Sequence, residues 1–270
     1  MLVREDGNGY REDRVFGWLK ARRRAKLLAE PFPETWRTLI EKNSALYRTL
    51  SQEERGRLHD ALRLFIAERD WEACGGLEMT DEVKVTVAAQ ACLLTLGRTV
   101  DAYDHVRTVL VYPEAYYVPV EEADEAGVVV EEEEDREGEA WEQGSVVLSW
   151  ADVKGDARRC DGRNLVLHEF AHQLDMGDGA ANGTPRLEDA GAEARWARVM
   201  SAEFAALRER ARTRGRGVLD TYGAEDESEF FAVAAEAFFE RPRDLRRQRP
   251  ELYDLLRDYF RQDPAERIRR

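Results

Sequence analysis

The sequence of 270 residues is poor in cysteine, with three, and in histidine, with four. Cys74, Cys92 and Cys160 are odd in number and far apart. Neither a disulfide framework nor a paired-cysteine metal knuckle is expected from them, and a reducing cytoplasm suits them. Long hydrophobic runs are missing too. The longest uncharged apolar stretch, Val85 to Gly97, has 13 residues, too few to span the roughly 30 Å hydrocarbon layer of a bilayer. Charges are scattered through the first twenty residues, which contain no apolar core of the signal-peptide kind. Glycine- and serine-rich linkers and internal repeats are absent, as is any basic surplus. The net charge is −14, and residues 121–142 hold twelve acids against one arginine, −11 of that total, which leaves −3 elsewhere. With no basic patch, nucleic-acid binding is not expected. The acidic run itself reads as a solvated loop or edge hairpin, with cation binding or substrate selection as the alternative.

What is present is a soluble, globular composition, 43% hydrophobic and 36% charged. The pattern predicts a mainly helical α+β fold with a small mixed β-sheet. Residues 1–100 read as an N-terminal helical part packed on a catalytic part, 101–270, the two forming one continuous domain. In the first part, helices are expected at Val15–Glu30 and Trp36–Leu50, the latter with Trp36, Leu39, Ile40 and Tyr47 on one face. Ser51 and Glu54 form a capping box for a third helix, and Thr80 can cap a fourth, although "VKVTV" at its start alternates like a strand. The clearest strands are "VRTVLVYP" (106–113) and "SVVLSW" (145–150). The second of these reads as either a core strand or an edge strand able to pair with an extended peptide. Helices follow at about 163–176, 188–213, 226–240 and 250–261.

The chemistry concentrates in "NLVLHEFAHQLD" (164–175). On a helix, His168 and His172 lie one turn apart and can reach one ion, the arrangement of an HExxH metal site. Glu169 sits about 100° round, close enough to act as a base without being a ligand. Leu167, Phe170, Ala171 and Leu174 form the opposite, apolar face. The competing reading is a helix with two satisfied histidines, but two of only four histidines fall in this motif. His59 and His105 stand in unrelated contexts and read as ordinary packed or surface residues. A catalytic zinc needs a third protein ligand, and no further histidine is near. The helix in "YGAEDESEFFAVAAEAFFERP" (222–242) offers Glu229 and Glu236 opposite an apolar face of Phe231, Ala234, Ala235 and Phe238.

"HEFAHQLD", "EFFAVAAEAFF", Tyr222, "PFPETWR", "LEMTDE", "AAQACLL", "VLVYP", "GSVVLSW" and "ANGTPRL" together resemble the Mlc titration factor A family of zinc-dependent, gluzincin-like peptidases. The resemblance covers most of residues 30–240. It implies one Zn2+ per chain held by His168, His172 and Glu229, with Glu169 as base and Tyr222 as catalytic tyrosine. It also implies an aminopeptidase-like hydrolase acting on small peptides. Glu229 is preferred over Glu236 because it follows Tyr222 by seven residues, as the family has it. Glu236 is then expected to support a ligand imidazole. Asp175 either does the same for His172 or caps the glycine turn. The family's name implies a second reading, a protein that binds and sequesters a transcriptional repressor. The acidic residues 131–135 and the ten arginines from Arg241 onward depart from the family pattern.

Overall fold

The computed structural model describes the backbone of residues 9–123, 129–136, 138–141 and 144–267, and the side chains of 17–115, 144–177 and 179–267. Helix α1 (Gly9–Ala29) leads into α2 (Glu34–Asn43). The expected helix through Leu50 breaks here. Asn43 turns its buried amide to Glu82 and Thr86, 2.9 and 3.1 Å away. Ser44 is extended, and its hydroxyl accepts from the Tyr47 amide instead. Short polar side chains thus compete with the helix for its own backbone groups, and the chain resumes as a 3-10 turn, Leu46–Thr49.

At Ser51 the capping box forms in both directions, and α3 (Gln52–Ala67) follows. Strand β1 (Asp70–Ala73) comes next, then α4 (Asp81–Leu94), capped by Thr80. "VKVTV" is helical. Every residue of α4 from Val85 to Leu94 is buried, so this helix meets protein on all sides and shows no polar stripe. Its alternation had no bearing on a strand.

Strands β2 (Thr108–Tyr112), β5 (Gly138–Trp141) and β6 (Ser145–Ser149) join β1 in one mixed sheet of order β1-β2-β6-β5. The first three strands in that order are parallel, and β5 is antiparallel to β6. The edge reading of "SVVLSW" is therefore overturned. Residues 145–148 are paired on both sides, and the edges are β1 and β5. The acidic run contributes β3 (Tyr116–Ala123) and β4 (Val129–Arg136), which pair antiparallel with Glu121 opposite Glu131. Its connecting residues 124–128, and the solvation expected for its side chains, lie outside what is described.

The remaining chain is helical: α5 (Trp150–Asp156), α6 (Leu165–Asp175), α7 (Ala190–Arg212), α8 (Glu227–Glu240), α9 (Pro242–Gln248), α10 (Pro250–Phe260) and α11 (Pro264–Arg267). One buried apolar cluster runs from Ile40 and Phe65 through Val109 and Phe170 to Phe231 and Phe260. Helix α6 lies within it. Phe170 meets Phe65 and Tyr103 edge-on at 5.5 and 5.2 Å, while α8 packs along its other side. No helix among the described residues is long and apolar enough to cross a membrane.

Candidate metal centre

Two helices bring the chemistry together. Asn164 caps α6 by accepting from the Leu167 amide, and Asp226 caps α8 by accepting from the Glu229 amide. These caps set where each helix begins, and so which residues face one another. His168 and His172 on α6 meet Glu229 at the start of α8. His168 Nε2 is 3.1 Å from Glu229 Oε2, His172 Nε2 is 3.4 Å from Glu229 Oε1, and the two Nε2 atoms are 3.2 Å apart.

The outer hydrogen bonds decide what those inner atoms carry. His168 Nδ1 is 2.8 Å from Glu236 Oε1, and a carboxylate only accepts, so Nδ1 holds the hydrogen. The Ser228 hydroxyl has one hydrogen and gives it to Asp175 Oδ2 at 2.8 Å. His172 Nδ1, 3.0 Å from that hydroxyl, must then be the donor. Both imidazoles thus turn an Nε2 lone pair inward, toward a carboxylate. With both rings neutral, the short contacts between these atoms are not hydrogen bonds, and Glu229 Oε2 is buried with no donor. They become hydrogen bonds only when a ring takes up a second hydrogen. Four electron-rich atoms this close, two nitrogens and the two oxygens of Glu229, repel unless a positive charge lies among them.

A metal ion fits. Ligands about 2.0–2.1 Å from a tetrahedral ion stand about 3.3 Å from one another, close to the 3.1, 3.2 and 3.4 Å found here. These three residues form the candidate metal-holding group among those described.

Glu169 lies beside the group, 5% exposed. Burial pushes its carboxyl up to about 7, against the opposing pull of His168 and His172, with Glu229 and Glu236 adding to the rise. A cation at the site would draw it back down. For Glu229 the balance is reversed. Burial raises it, but the two histidines outweigh burial and hold it at about 2. For His168, burial favours the neutral ring, yet Glu229 and Glu236 raise it well above its usual value. The shifts of Glu229 and His168 describe a place that favours positive charge.

Tyr222 stands on a 3-10 turn, Thr221–Ala224, whose start is capped by Asp220. It is 49% exposed, and its ring centre is 6.0 Å from that of His168. Burial of its other half, with Glu229, Glu225 and Glu169 nearby, raises the phenol above its usual value, so it remains a hydrogen-bond donor. Asp175 is engaged in two directions by a single oxygen, which takes the Gly183 amide at 2.7 Å and the Ser228 hydroxyl. It thereby pins the loop after α6 and reaches His172 through Ser228.

Ser228 went unmarked in the sequence, as did Gln90 and Asn164. Ser228 stands next to Glu229, but serine there suggests no more than a helix start. Asn164 carries a readable signal, a cap residue immediately before an apolar helical run. Its links to other helices are not readable. His59 is packed, stacked on Phe32 at 3.8 Å and bonded to the Tyr47 hydroxyl at 2.9 Å.

The chain is 37% identical over 249 residues to an uncharacterized protein of Synechocystis, covering 92% of this chain and 90% of that one. It is 33% identical over 226 residues to Mlc titration factor A of Klebsiella pneumoniae, and 31% identical over 225 residues to that of Salmonella typhimurium. Each of these two matches covers 82% of this chain and 83% of the relative. The model of the glucose-regulated metallo-peptidase M90 family matches residues 18–261. A site able to hold a metal between a histidine pair and a carboxylate is what a metallopeptidase requires, and the chain belongs to this family.

Proposed function

We propose that this protein is a zinc-dependent, aminopeptidase-like hydrolase of small peptides, with His168, His172 and Glu229 as the metal ligands. The observation that carries the reading is the convergence of two imidazole nitrogens and the Glu229 carboxylate, 3.1 to 3.4 Å apart, with a buried carboxyl beside them. A zinc ion bound there would supply Lewis acidity, polarising the scissile carbonyl and acidifying water.

The chain's own residues carry the proton and hold the charge. Glu169 takes the proton of the attacking water and passes it to the leaving amine, so peptide and water give a carboxylic acid and an amine. Tyr222 donates a hydrogen bond to the oxygen on which negative charge develops. Glu236, and Ser228 with Asp175, keep the hydrogens of the two imidazoles on Nδ1 so that Nε2 stays available. A second reading, binding of a transcriptional repressor in the cytoplasm, draws support from the name of the relatives, Mlc titration factor A.

Elemental analysis after metal-replete expression should find about one zinc per chain. Glu229→Ala should abolish tight zinc binding, whereas Glu236→Ala should weaken it by about 10–100-fold. Zinc-free wild-type protein would refute the metal assignment. The reverse ranking would transfer the third ligand to Glu236. A Glu169→Gln protein that still supports repressor binding would separate the second reading from the first.

A further inference from the structure

Helix α6 begins in a buried polar knot. Asn164 is 1% exposed and makes five hydrogen bonds, one of them from the His168 amide to its carbonyl at 2.9 Å. Its Oδ1 accepts from the Leu167 amide at 3.1 Å, and its backbone N–H donates to Glu236 Oε2 at 2.5 Å. Its Nδ2 donates to Gln90 Oε1 on α4 at 2.7 Å and to Glu240 Oε1 on α8 at 3.1 Å. The other oxygen of Glu236 takes the His168 Nδ1 hydrogen. One residue therefore caps α6, ties it to two neighbouring helices, and holds the carboxylate that orients an imidazole.

A cap needs only the oxygen, and aspartate or serine would supply it. The amide is required for a different reason. Gln90 and Glu240 both present oxygens, and only a side chain with two N–H donors and one acceptor satisfies them along with the cap. Aspartate would face the same two oxygens with a third acceptor and a negative charge.

We propose that Asn164 is a positioning residue of the peptidase, which through Glu236 sets the orientation and basicity of His168 and hence the metal affinity of the site. The inference rests on His168 being a metal ligand. The 2.5 Å bond from the Asn164 backbone passes any displacement of the cap directly to Glu236, and a ligand imidazole held by a shifted carboxylate no longer points at the ion.

Asn164→Asp keeps the cap and removes the donors. Zinc affinity of the metal-free chain, measured by competition with a chromophoric chelator, should fall by about 10-fold. The low-field proton resonance of the His168 Nδ1 hydrogen should move with it. Adding Glu240→Gln should restore much of the affinity, because the new amide can donate to the new carboxylate. Gln90→Leu, which leaves the cap untouched, should weaken zinc binding in the same direction and keeps the test open if Asn164→Asp does not fold. Variants that melt earlier but bind zinc like the wild type would make Asn164 purely structural and overturn the inference alone. A loss that Gln90→Leu does not reproduce and Glu240→Gln does not reverse would trace to the added charge and also overturn it. A wild-type chain that takes up no zinc would overturn the metal reading and this inference together.

Discussion

Glu169 is a buried carboxyl one residue from His168, raised to about 7 by burial, with Glu229 and Glu236 adding to the rise. A cation at the site would lower it. A carboxylate that is ionised near physiological pH can take the proton of the attacking water, and such assistance contributes about 10²–10⁴-fold to rate. Glu169→Gln should therefore bind zinc as the wild type does and lose hydrolysis by that factor in a peptidase assay. Retained activity would remove Glu169 from the proton path. Tyr222 differs in being half exposed and lying beside the histidines rather than among them. Its hydrogen bond is needed only when charge develops on the substrate oxygen, so Tyr222→Phe should lower kcat more than it raises KM. Steady-state kinetics decide this, and an unchanged kcat would leave the tyrosine a surface residue.

At the scale of elements, the site depends on a turn that touches no ligand. Gly183 has φ +73°, and a Cβ there would lie 2.2 Å from the Glu227 carbonyl oxygen at the start of α8. Its amide holds Asp175, and its carbonyl accepts from Trp196 Nε1 at 2.9 Å on α7. The loop is thus wedged between α7 and α8. Gly183→Ala should destabilise the fold by about 1–3 kcal/mol through backbone strain alone. Because α8 must move away, Ser228 and Glu229 should shift from the histidines, and zinc affinity should fall too. Denaturant titration with zinc competition tests both, and wild-type stability in the variant would show that the loop yields without cost.

The buried acids behind the site tie the whole molecule to pH. Burial raises Glu240 to about 8 and Asp156 to about 6. A carboxyl that titrates higher in the folded chain than in the unfolded one binds more protons when folded. For Glu240 the contribution is complete below its ordinary value of 4.5 and is lost as pH rises from there through about 8. Across that pH window the loss is on the order of a few kcal/mol, since a tenfold change in proton affinity corresponds to about 1.4 kcal/mol. Glu240→Gln keeps the acceptor for Asn164 and has no charge to bury. Its stability relative to the wild type should rise between about pH 5 and pH 8.5, measured by urea unfolding. Parallel pH dependence in the two proteins would assign the effect elsewhere.

By itself the sequence determined the class of fold, the histidine helix and its partner helix, because each is written in local terms. A histidine pair at one-turn spacing, a cap before an apolar run and a glutamate opposite a phenylalanine face are all set within a few residues. The break at Ser44, the interior place of β6 and the helical state of "VKVTV" were decided elsewhere. Each depends on what packs from a distance: Glu82 and Thr86 on Asn43, β5 along β6, and protein on every side of α4. The same holds within the site. That Glu229 faces both Nε2 atoms while Glu236 stands behind His168 follows from how α8 lies against α6. That Ser228, Asn164 and Gln90 share the work follows from hydrogen bonds between residues 56 to 74 positions apart. A hydrogen bond is set by distance and angle in space, and chain separation carries neither.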